Sequence, residues 1–187
     1  MTEEVQNESM LEAESSKTIF DCWREAIGHF FDVKGRTTRY EFWAFQTVSL
    51  LIFILASVIG FIFGYYKVIF EVYALYFLAP AATVSVRRLH DIGISGKWII
   101  PIVALAAIML FCWEIETDFT VLPTFLLLCA MSYLYYVLSD KGENGDNLYG
   151  AKVQEPSVCD DDSKVFVIFM ATFLSVLWII FLIKVIF

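Results

Sequence analysis

The sequence predicts an all-α protein: a polytopic transmembrane helical bundle of about five spans, led in by an N-terminal amphipathic interfacial helix. Three observations predict it. Of the 187 residues, 59% are hydrophobic, where a soluble domain of this length carries roughly 45–50%. The excess is gathered in runs of about 17–25 residues, the length that crosses ~30 Å of hydrocarbon. The basic residues between those runs fall on alternate loops, as a fixed membrane orientation requires. One bundle with no separate soluble domain follows, divided into a disordered acidic tail (1–17), a membrane domain (18–152), an acidic linker (153–164) and a fifth transmembrane helix (165–187).

The tail holds Glu3, Glu4, Glu8, Glu12 and Glu14 with little to bury. From residue 18 the character changes. Ile19, Phe20, Trp23, Ile27, Phe30 and Phe31 recur at roughly helical spacing, with Asp21, Arg24, Glu25 and His29 mainly opposite. Such a helix is too short and too charged to span. It lies in the membrane interface or packs against the ends of the bundle. Gly35 permits a turn, Thr37 or Thr38 can cap the next helix, and Glu41 suits its first turn, where the helix dipole favours an acid.

The first span runs from about Phe42 to Tyr66. Ala56, Gly60 and Gly64 repeat every four residues along it, a small-residue stripe for close approach of another helix, from this chain or from a second copy. The second span runs from about Val68 to Val86, with Pro80 inside it expected to kink it. The third runs from about Trp98 to Trp113, with Pro101 in its tolerant first turn, and the fourth from about Phe119 to Leu138. The four cysteines, Cys22, Cys112, Cys129 and Cys159, are far apart and read as buried thiols.

The formal net charge of −8 belongs to the ends of the chain. The five tail glutamates and Asp160, Asp161 and Asp162 account for it; without them 13 acids face 13 bases. A neutral body offers no basic surface for nucleic acid. Eleven Lys and Arg residues lie in the N-terminal segment, the second loop and the fourth loop, against Lys67 and Lys184 on the other side. The expectation is a multi-pass protein with a cytoplasmic N-terminus and an outside C-terminus.

That topology gathers three segments at one membrane face: residues 34–41, the turn 87–98 and the Gly- and Asn-rich stretch 139–152. Arg36, Arg39, Arg87 and Arg88 can meet Glu41, Asp91, Asp140 and Asp146 there. One reading is an ion-pair network that ties helix ends together. The other is a site where Arg36, Arg39, Arg87, Arg88 and Asp91 hold a lipid headgroup or small anion. His90 and Asp91 suggest a dyad, but adjacent helical side chains point apart. Residues 140–151 lack the twelfth-position acid of a calcium loop and read as a turn. No metal or cofactor is expected, and no nucleophile-elbow, phosphate-loop or zinc-protease motif is present.

Three blocks carry a resemblance: Gly35-Arg36-Thr37-Thr38-Arg39-Tyr40-Glu41-Phe42-Trp43, then Arg87-Arg88-Leu89-His90-Asp91-Ile92-Gly93-Ile94-Ser95-Gly96, then Asn147-Leu148-Tyr149-Gly150. In this order they resemble the signature of the domain-of-unknown-function family 805, small bacterial inner-membrane proteins, over about residues 20–152. The resemblance implies a four-helix membrane core and a bacterial inner-membrane location. It implies no activity, so no catalytic residue is carried over. Lys97 stands where that family often has the first tryptophan of a pair, and the acidic linker and fifth span lie beyond its usual end.

The function expected is therefore non-enzymatic binding of lipid, a small anion or a membrane partner through the Arg/Asp cluster. The alternative is a subunit of an oligomeric pore or transporter, assembled as a homo-oligomer through Ala56, Gly60 and Gly64. Deleting residues 1–16 is expected to leave the membrane level of the protein unchanged, measured by immunoblot of isolated membranes.

Overall fold

The computed structural model describes residues 17–114 and 121–153, together with 168, 171–176, 178, 179 and 183. The expected acidic tail, nearly all of the linker and most of the fifth span lie outside the described residues. Every regular element described is helical: α1 (Ile19–Gly28), α2 (Arg39–Phe63), α3 (Tyr66–Asp91), α4 (Ile99–Glu114) and α5 (Val121–Leu138). Among the described residues, three helices are long and apolar enough to cross a membrane: Arg39–Phe63, Lys67–Asp91 and Val121–Leu138. The expected third span is α4, only 16 residues. A 3-10 turn over Gly96–Trp98 leads straight into it. At 1.5 Å and 2.0 Å per residue the two together cover about 30 Å.

The helix boundaries have local chemical causes. Thr18 and Thr38 both close capping boxes, with Asp21 and Glu41 as the reciprocal acids. Hydrogen bonds from Thr18 to its carboxylate hold Asp21 below the ordinary carboxylate range. At the other end of α2 the Tyr65 N–H donates to Gly60 O at 2.7 Å, with Gly64 left-handed at φ 76°. Gly64 thus ends the helix instead of extending the small-residue stripe. Of that stripe Gly60 is buried and Ala56 half-buried. α3 ends in the same way. Ile94 N–H donates to Leu89 O at 2.8 Å and Gly93 N–H to His90 O at 3.2 Å, with Gly93 at φ 75°. A left-handed residue is needed there, which is why the turn carries glycine.

α1 packs against the end of the bundle, one of the two placements expected of it. Cys22 and Ala26 are buried against the bundle, and Thr83 Oγ1 donates to Phe30 O at 2.6 Å. Phe20 and Phe31 remain 66% and 77% exposed, a face suited to the acyl boundary. Burial pushes the Cys22 thiol up to about 12. Cys129 corrects the expectation of buried thiols: it is exposed on α5, and Cys112 is half-buried. An apolar thiol faces lipid at no polar cost, so membrane burial and protein burial are different things.

Packing is densest at one end of the bundle. Phe42, Trp43 and Phe45 of α2, Val84 and Leu89 of α3, and Leu134 and Leu138 of α5 form its core. Trp43 and Tyr135 sit 5.6 Å apart, ring centre to ring centre. Midway along, Tyr73 Oη donates to Ser49 O at 3.0 Å, and Tyr73 stacks on Phe77 at 4.3 Å. Pro80 is fully buried within α3. Toward the opposite end Phe61, Ile62, Phe63 and Val68 face outward. From the fifth segment, Trp178 Nε1 donates to Ser132 Oγ at 3.2 Å.

Thr38→Ala removes the α2 cap and is expected to cost about 1 kcal/mol, with Thr38→Ser close to wild type. The thermal midpoint of the purified protein in detergent micelles checks this.

Candidate functional site

The three polar segments do converge at the packed end. Thr37 N–H donates to Arg87 O at 3.2 Å, which joins the α1–α2 connection to the last turn of α3. Glu143 N–H donates to Asp91 O at 2.9 Å, which joins the segment after α5 to the same place.

Asp91 is the centre. Arg36 Nε meets its Oδ1 at 2.9 Å, and Arg88 Nη1 meets its Oδ2. The three side chains are 1%, 0% and 6% exposed for Arg36, Arg88 and Asp91. Further guanidinium donors go to backbone carbonyls. Arg36 donates to Gly145 O at 2.6 Å and Glu143 O at 2.9 Å. Arg88 donates to Leu138 O at 3.1 Å and to Asp140 O. Buried charge is tolerable only with this degree of pairing. The close fit also explains two glycines. A Cβ on Gly142 would overlap the Asp91 carboxylate, and one on Gly93 would overlap that of Glu143.

His90 and Asp91 point apart. The His90 ring stacks on Tyr149 at 3.9 Å with planes 3° apart, and its Nδ1 lies 3.3 Å from Gly35 O. Asn147 Nδ2 donates to His90 O and to Glu143 Oε2, both at 2.9 Å. Asn147 and Gly150 pair as an isolated bridge, so the expected turn is a short closed loop. Of the acids expected to join the cluster, Asp140 contributes a carbonyl, not its carboxylate. Asp146 accepts from the Lys152 N–H at 2.9 Å.

Glu41 serves a second group that sequence reasoning missed. Lys17, placed with the disordered tail by sequence, bonds Glu25 Oε2 at 3.0 Å and Glu41 Oε1 at 3.4 Å. Burial works against its charge, but the two carboxylates hold its pKa above the ordinary 10.5. The pairing therefore supports the fold at neutral pH and is lost only as pH rises through that elevated value. Lys17, Cys22, Glu25, Arg36, Glu41 and Arg87 line a pocket of about 160 Å³ beside the knot. Arg87 and Arg39 are half-buried there and nearby, unlike Arg36 and Arg88. The Nε of Arg87 is buried with no acceptor among the described residues. The signal for Lys17 was its place one residue before a Thr-x-x-Asp capping box, where the chain is already fixed.

An all-helical membrane bundle with a folded polar cap at one end is the class of protein these features define. The chain belongs to a family described as proteins of unknown function, DUF805, whose model matches residues 30–151. Two similar proteins are the inner membrane protein YhaI of Escherichia coli strain K12 and that of strain O157:H7. Each is 28% identical over 94 residues, covering 47% of this chain and 80% of the relative. The chain is an inner-membrane protein on this footing. No solved structure gives a significant match. Arg36, Arg88, Asp91 and Gly142 all lie in the matched segment; Lys17, Cys22 and Glu25 of the pocket wall precede it.

Asp91→Ala leaves two buried arginines uncompensated and is expected to destabilise by about 3–5 kcal/mol. Gly142→Ala is expected to cost about 1–3 kcal/mol through overlap with the same carboxylate. Chemical denaturation in micelles measures both.

Proposed function

We propose that the chain is a non-enzymatic binding protein of the inner membrane, which takes an anionic ligand at the cytoplasmic end of its bundle. The observation that carries the reading is the preformed pocket of about 160 Å³ set against a locked Arg–Asp knot. The knot itself is the floor of the site. Arg36 and Arg88 already donate to Asp91 and to four carbonyls of the 138–145 segment, so they position the walls and leave the pocket rim to meet the ligand.

Two facts support a binding function over a catalytic one. The imidazole of His90 is stacked on Tyr149 and the Asp91 carboxylate is shared by two guanidinium groups. The carboxylates on the pocket wall, Glu25 and Glu41, both hold Lys17. A general base needs an open lone pair at the reacting atom, and both oxygens of Asp91 are already taken by guanidinium groups. The cytoplasmic orientation rests on the eleven Lys and Arg residues that fall on this side of the spans.

Native mass spectrometry of the wild-type chain released from lipid nanodiscs tests the reading. The expected result is a monomer or dimer that retains a small anionic molecule or lipid. A chain that emerges bare from every lipid composition, or a large closed ring that conducts ions, overturns it.

A further inference from the structure

We propose that the pocket beside the knot takes a phosphate group carrying one negative charge, held by the Arg87 guanidinium. The proposal rests on the binding reading above and names its ligand. Its sources are the phosphodiester of a phospholipid headgroup or free monobasic phosphate; both present the same oxygens to the same arginine.

Charge comes first. The pocket and the knot together contain Lys17, Arg36, Arg87 and Arg88 against Glu25, Glu41 and Asp91. Lys17 lies between Glu25 and Glu41, and Asp91 lies between Arg36 and Arg88. The group left over is Arg87. Its side chain makes no ion pair with any described residue, and its buried Nε–H has no acceptor. That Nε is enclosed by protein, so a ligand meets the part of the half-buried Arg87 side chain that lines the pocket. One negative charge brought to this arginine neutralises the whole cluster. A cation is disfavoured, because the two acids on the wall already hold Lys17.

Shape and depth agree with phosphate. A guanidinium presents its N–H groups as a planar fork that matches phosphate oxygens two at a time. The pocket volume of about 160 Å³ leaves room for a phosphate group. Its walls are α1, the α1–α2 connection, the first turn of α2 and the last two turns of α3, with Val153 beside them. α1 turns Phe20 outward, on the side of the helix away from Cys22 and Ala26, and Phe31 just beyond it is exposed as well, an apolar face suited to the acyl boundary. That puts the pocket at the level where the phosphates of a bilayer leaflet lie.

The test is native mass spectrometry of the full chain in micelles, titrated with dioctanoyl phosphatidylglycerol, with inorganic phosphate, and with dioctanoylglycerol, which lacks the phosphate. Wild type is expected to bind the lipid or phosphate and not dioctanoylglycerol. Arg87→Gln is expected to weaken that binding at least about tenfold, the loss of a charge-assisted hydrogen bond. Arg87→Lys restores part of it, and Lys67→Gln at the opposite end leaves it unchanged. Competition of the lipid by inorganic phosphate assigns the site to free phosphate; binding of the lipid alone assigns it to a headgroup. Phenylglyoxal modification of Arg87 in wild type gives a readout that needs no variant, and phosphatidylglycerol or phosphate is expected to slow it. Equal binding by Arg87→Gln, equal binding of dioctanoylglycerol, or unprotected Arg87 overturns the proposal. A wild-type chain that keeps some other ligand with Arg87 indifferent sinks this assignment and leaves the binding reading standing. A bare wild-type chain sinks both.

Discussion

One carboxylate shared by two buried arginines governs this end of the molecule. Asp91 is too deeply placed to be solvated, so its charge is supportable only while Arg36 and Arg88 both reach it. Each arginine has more donors than one carboxylate can accept. The surplus goes to carbonyls at Leu138, Asp140, Glu143 and Gly145, and these fix the path of the chain after α5. Loop conformation, the glycine requirement at Gly142 and the closeness of the helix ends therefore share a cause. The Thr38 cap and the left-handed Gly93 add local terms that aim the segments at the same point.

The two ends of the bundle are held by different forces. At the knot, hydrogen bonds and a dense aromatic and aliphatic core meet, with Phe42, Trp43 and Leu138 fully buried. At the far end Phe61, Phe63 and Val68 face outward and their solvent is lipid. No hydrophobic force drives such faces together in hydrocarbon, so tight packing there depends on van der Waals fit alone. Any function that needs a fixed geometry has reason to sit at the knotted end, and the pocket does.

The spans were legible because hydrocarbon thickness selects for run length, which survives any detail of packing. The convergence of Arg36, Arg88 and Asp91 was legible from topology and charge. How those charges pair was not, because most of the acceptors are backbone carbonyls, which no inventory of side chains lists. Cys22 and Ala26 anchor α1 to the bundle but do not stand out in its apolar pattern; the larger Phe20, which does, points away. Gly64 fitted a packing stripe by spacing and proved to be a helix terminator by backbone angle. Lys17 was hidden by its acidic neighbours, although its partners are an α1 acid and an α2 acid.

The span of sequence enclosed by the knot sets an order of events during synthesis. Arg36 and the carbonyl of Gly145 are 109 residues apart. At about 5–20 residues per second the ribosome delivers the second roughly 5–20 s after the first. For the second half of that interval the first two spans and Asp91 are in hand, but the carbonyls beyond the fourth span that accept from Arg36 and Arg88 do not yet exist. The Arg88–Asp91 pair, three residues apart on one helix, forms at once and serves as a local placeholder. The nascent membrane domain is thus completed from its last loop backward, and a chain broken before residue 145 carries unpaired guanidinium donors that mark it as unfinished.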